Sequence, residues 1–97
     1  MNETERREIE LTREAAAGKK ARELLENPLL ATWFAARRAE LFEAFAGREF
    51  NDDEGRRAIW LRLQAVNELE KDLHTTIQSG TIAETNLKEW YNHTRGR

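Results

Sequence analysis

Two helix-period runs constrain what this chain can fold into. The first opens at Asn27-Pro28 and stops at Gly47; the second opens at Asn51-Asp52-Asp53-Glu54 and stops at Ser79-Gly80. Together they predict an antiparallel helical hairpin over residues 27–80. Asn27 offers the short side-chain oxygen that accepts a free N–H at a helix start. Pro28 suits the first helical position, where its missing N–H costs nothing. Leu29, Leu30, Trp33, Phe34, Ala36, Leu41, Ala44 and Phe45 then cover one arc, wider than a two-helix seam needs, so this helix is expected to meet more than one neighbour. Gly47 is placed to end it in a left-handed conformation, with Phe50 folding back to plug the hairpin end.

The second run is longer. Asn51 and Glu54 approximate a capping box, and the acidic residues there suit a helix N-terminus. Ala58, Ile59, Leu63, Ala65, Val66, Leu69, Leu73 and Ile77 line one face after it. Thr81-Ile82-Ala83-Glu84 matches the S/T-x-x-E box directly after Gly80, which predicts a separate short helix from Ile82 to His93 with Ala83, Leu87, Trp90 and Tyr91 on its apolar side. Thr94-Arg95-Gly96-Arg97 has no reason to be ordered alone.

Ahead of the hairpin, Glu3 to Glu26 is a charged helix whose Glu3/Arg7, Arg6/Glu10 and Lys19/Glu23 pairs are spaced to support one another. Its apolar stripe is Ala17, Ala21, Leu24 and Leu25, so the second half should pack and the first half project, with Gly18 loosening the junction. The expected fold class is therefore all-α. A single domain over 1–97 comprises a charged N-terminal helix (1–26), the hairpin (27–80), and a short C-terminal helix and tail (81–97).

Composition narrows the function classes. The 97 residues are 39% apolar and 35% charged, with both signs interspersed and a net charge of -2, so no strong overall field draws nucleic acid or anionic membrane. The absence of cysteine removes disulfide scaffolds and thiolate chemistry. The first residues lead into charged helix rather than an apolar stretch, and no segment is long and apolar enough to span a bilayer; neither signal-peptide secretion nor membrane insertion is expected. His74 and His93 lack partners at metal-site spacing and read as surface residues. There is no phosphate-binding glycine loop and no convergent polar cluster, so no enzyme, cofactor, metal or small-molecule substrate is expected.

What remains are candidates for interaction. Arg37 and Arg62 each interrupt an apolar arc, and an antiparallel hairpin sets them at one level. Either they pair internally with Glu40 and Glu70 or their long stems carry the charge out to water, the reading expected because buried charge comes with partners, or they form a fork for a carboxylate or phosphate of another chain. Trp33 reads as core. Trp60 falls on the polar side of its helix beside Asn67 and His74, and Trp90-Tyr91 lies near a terminus, as interface aromatics often do. The Arg37-Arg38, Arg56-Arg57 and Lys19-Lys20 pairs are interleaved with acids and read as solvated helix faces; nucleic-acid binding is the weaker alternative.

Asn27-Pro28-Leu29-Leu30, Asp53-Glu54-Gly55-Arg56, Trp60-Leu61 and the stretch from Ile77 through Gly80 to Ala83 occur in an order that resembles small all-helical proteins of tailed bacteriophages and prophages, encoded near head-morphogenesis genes. The resemblance spans about Leu24 to Leu87. It implies a structural or assembly role in a virion or host cytoplasm, through protein docking or self-association, and it transfers no catalytic residue. A small inhibitor or adaptor that binds a host protein would use the same surfaces.

Overall fold

The structure, a computed structural model, describes residues 2–95 and contains three α-helices: α1 (Glu3–Glu26), α2 (Pro28–Ala46) and α3 (Asp53–Arg95). The residues group into two compact units, one formed by 1–24 with 73–97 and the other by 25–72. The all-α expectation holds, whereas the division into four helices does not.

Within the first unit, α1 starts at an Asn2 cap: the Asn2 side chain accepts the Glu5 N–H at 2.8 Å and its carbonyl accepts the Arg6 N–H at 3.0 Å. Its buried positions are Leu11, Ala15, Gly18 and Ala21, a 4-3-3 spacing that keeps one narrow stripe on one side of a helix. Leu11 and Ala15 form a cluster with Ala83, against which Leu87 packs. The two segments run antiparallel, since Gly18 meets Gly80 while the Tyr91 hydroxyl donates to Glu8 Oε1 at 2.8 Å. The expected stripe is thereby corrected. Ala17 is exposed, and the first half of α1 packs rather than projects.

No helix break occurs at Ser79-Gly80. Gly80 lies inside α3, buried, and among the described residues no glycine has a positive φ. Glycine weakens a helix interior by about 1 kcal/mol relative to alanine, but it does not end one unless the next turn has something better to do. Here the next turn continues: the Thr81 hydroxyl donates back to the Ile77 carbonyl at 3.1 Å, and the Thr85 hydroxyl to the Thr81 carbonyl at 3.1 Å. Thr81 is thus a mid-helix residue and not a cap. The expected tail is shorter too, because Thr94 belongs to α3, while Gly96 and Arg97 lie outside the described residues.

In the second unit, α2 begins as its sequence predicts, with Asn27 Oδ1 accepting the Leu29 N–H at 2.9 Å and Pro28 at the first turn. Phe34 and Leu41 of α2 and Ile59 and Val66 of α3 are its buried apolar residues, each pair seven apart as in a two-helix seam. At the end of α2, Gly47 has φ -81° and ψ -6°, a right-handed conformation, and its N–H reaches the Glu43 carbonyl at 2.9 Å. The left-handed terminator is therefore absent. Phe50, expected as a plug, is 90% exposed. The α3 cap is Asp52 rather than Asn51: its Oδ1 accepts the Gly55 N–H at 2.9 Å, and its carbonyl accepts the Arg56 N–H at 3.1 Å.

Candidate interaction surface

The surface of the 25–72 unit follows from which row of α2 faces α3. Phe34, Arg38, Leu41 and Phe45 stand at 4-3-4 spacing and share one side of the helix. This is the seam row. Phe34 and Leu41 are buried, and Arg38 crosses to α3, its Nε donating to Asn67 Oδ1 at 2.9 Å and its Nη2 lying 3.0 Å from Glu70 Oε1. The same guanidinium sits 5.5 Å from the Phe34 ring centre. Its stem can pack on apolar surface while the head stays hydrogen-bonded, which is how a charge is tolerated beside a core.

One residue out of register lies a second row, Trp33, Arg37, Glu40 and Ala44, at the same 4-3-4 spacing. Trp33, expected in the core, is 46% exposed and meets Phe34 edge-on with ring centres 5.3 Å apart. Arg37 pairs with Glu40 at 3.2 Å within α2, as the internal reading expects. Arg62 does not join them. It is exposed, and Glu70, its expected partner, is taken by Arg38. No fork of Arg37 and Arg62 is formed by these pairings.

On the flank that carries Arg38 and Asn67, α2 and α3 leave between them an apolar hollow of about 200 Å³ lined by Leu41, Phe42, Phe45, Ile59, Trp60 and Leu63. Phe42 is 62% exposed and Trp60 50% exposed. Near the start of α3, the Arg56 guanidinium lies 5.8 Å from the Phe45 ring centre and 5.9 Å from that of Phe50. Its buried Nε has no hydrogen-bond partner among the described residues, and the guanidinium faces two aromatic rings, a contact that favours a cation. Sequence reasoning assigned Arg38 and Arg56 to solvent because of their acidic neighbours. The signal that finds them is spacing: Arg38 falls between Phe34 and Leu41 on the seam row, and Arg56 falls seven before Leu63.

In the other unit, Trp90 is half-buried and meets Tyr91 edge-on, ring centres 5.0 Å apart, while the Tyr91 hydroxyl is engaged by Glu8. Tyr91 thus ties α3 to α1, and Trp90 packs on Tyr91. Among the described residues, no group of three His, Cys, Asp or Glu side chains is arranged to hold a metal ion, and no helix is long and apolar enough to cross a membrane. Compared with protein-family models, with curated proteins and with solved structures, the chain matches none.

Proposed function

We propose that this chain is a protein-docking module of the phage assembly type, acting in a virion or in the cytoplasm of a bacterial host. One observation carries the docking reading: the large apolar residues of α2 cover an arc wider than its seam with α3, yet only Phe34 and Leu41 among them are buried. An apolar arc this wide gains by being covered, because burying a large apolar side chain completely is worth about 1.5–3 kcal/mol and Phe42 and Trp60 leave half or more of that unrealised. Phe42 and Trp60 are the anchors. They flank an apolar hollow that a partner side chain can fill, and Arg38, one turn before Phe42, brings a charge to the same side of α2, the combination of aromatic centre and charged rim that docking surfaces use. The resemblance to phage proteins near head-morphogenesis genes supplies the setting.

The test is copurification of the full chain from its native source, with mass determination of what accompanies it. A stoichiometric virion or assembly protein is expected, and Phe42→Ala and Trp60→Ala proteins, still helical by circular dichroism, should lose it. Retention of the partner by both variants would move the docking site elsewhere, and recovery of a host enzyme in place of a phage protein would favour the inhibitor reading.

A further inference from the structure

The row Trp33, Arg37, Glu40 and Ala44 is its own complement. Read backwards, the 4-3-4 spacing is unchanged, while the large residue exchanges with the small one and the cation exchanges with the anion. An antiparallel pairing of two α2 helices about an axis between residues 38 and 39 therefore sets Trp33 against Ala44 of the second copy and Arg37 against Glu40 of the second copy. A parallel pairing would set Arg37 against Arg37. The row is also open: Ala44 and Trp33 are exposed, and the Arg37 and Glu40 side chains are 38% and 66% exposed. Leu29, 78% exposed and four residues before Trp33, extends the apolar part of the same face.

We infer that this face of α2 binds a second copy of the chain in a two-fold, antiparallel helix pair. The inference rests on the reading of α2 as a docking helix and assigns its second exposed face. Complementary size places the Trp33 ring over a position with only a methyl group, as large and small residues alternate across tight helix contacts. Complementary charge turns two intrachain Arg37–Glu40 pairs, each weak while solvated, into one four-membered ring of alternating sign at the centre of an isologous interface. The Phe42 and Trp60 hollow stays free on the other flank for the assembly partner.

Charge reversal tests the pairing directly. Arg37→Glu and Glu40→Arg each place like charges opposite one another in a homodimer, so sedimentation equilibrium of either purified variant should show dimer affinity lowered at least ~10-fold. Mixed in equal amounts, the two variants restore opposite charges between chains while the intrachain pair stays broken in both, so the mixture should recover dimer with an affinity within about threefold of wild type. Glu40 is exposed and Arg37 half-buried, and circular dichroism should show unchanged helicity. A wild-type chain that is monomeric at ~100 µM, single variants that dimerise like wild type, or a mixture no tighter than its components would each overturn the inference. A monomeric chain that still captures its partner through Phe42 and Trp60 rejects this pairing and leaves the docking function standing. A dimer that captures nothing does the reverse.

Discussion

A β-carbon built on Gly18 would stand 2.7 Å from the Cα of Gly80, and one built on Gly80 would stand 2.7 Å from the Cα of Gly18. The obstacles are main-chain atoms, with the Thr76 carbonyl oxygen 3.2 Å from the first position and the Glu14 carbonyl oxygen 3.0 Å from the second. No rotamer change relieves such a contact. The two helix backbones touch here, and that closeness lets the short side chains of Ala15 and Ala83 bury against each other and the Tyr91 hydroxyl reach Glu8.

Two effects oppose one another when either glycine becomes alanine. The helix gains about 1 kcal/mol of intrinsic propensity, but an added methyl against rigid backbone costs about 1–3 kcal/mol in overpacking. Because the clash is on main chain from both sides, the second effect should prevail. Gly18→Ala and Gly80→Ala are each expected to lower the urea midpoint at unchanged slope. A higher midpoint in either would show that the helices do not cross at these residues.

Thr81 gives the opposite sign from the one its S/T-x-x-E motif suggests. As a cap, its replacement by alanine would cost about 1 kcal/mol. As an exposed mid-helix threonine bonded back to Ile77, it loses only that local bond and a 3.4 Å contact from Arg22, while alanine favours the helix. Thr81→Ala should leave stability within about 0.5 kcal/mol of wild type or raise it. A loss near 1 kcal/mol in thermal unfolding would restore the helix boundary at Gly80.

The start and stop of α2 were legible in the sequence, although Gly47 ends it right-handed and the α3 cap falls on Asp52, one residue from Asn51; what a distant partner sets was not legible. Asn27-Pro28 starts α2 as read, because a cap needs only its own next turn. Gly80 looked like a stop because a glycine before a threonine is a stop in isolation; its actual reason is Gly18, 62 positions earlier in the chain. The arc of α2 is wide, but the only seam it makes within the 25–72 unit is with α3. Its centre was misplaced by one residue, since Trp33 and Phe34 are equally apolar and only the facing helix decides between them. That single step moved Trp33 into the core and Arg38 out to solvent.

The start of α3 offers a cycle in which two substitutions should not add. The Asp52 carboxylate accepts the Gly55 N–H at 2.9 Å and lies where a Gly55 side chain would go. Asp52→Ala should cost about 1 kcal/mol by freeing the cap. Gly55→Ala should be near neutral, because the roughly 1 kcal/mol of helix propensity is offset by displacing that carboxylate. With the carboxylate already gone, the alanine keeps its full advantage, so the double variant should be more stable than Asp52→Ala by about 1 kcal/mol, a coupling that denaturant unfolding resolves. Strict additivity would place the cap elsewhere.

Neighbouring aromatics on α2 give the sharpest check on the seam itself. Phe34 is 2% exposed on the row that faces α3, so Phe34→Ala should remove about 3–5 kcal/mol through lost burial and the cavity left behind. Against a total of about 5–15 kcal/mol for a domain, that is a large share of the stability of the 25–72 unit. Trp33 stands one residue away with half its surface in water, and in the monomer its replacement by alanine forfeits an edge-on ring contact worth about 0.5–1.5 kcal/mol plus partial burial. Amide hydrogen exchange across α2 reads the difference. In dilute monomer, Phe34→Ala should lose most of its protection while Trp33→Ala keeps most of it, and Trp33→Ala should weaken self-association of the concentrated protein. The reverse order of protection would mean that the Trp33 row, and not the Phe34 row, packs against α3.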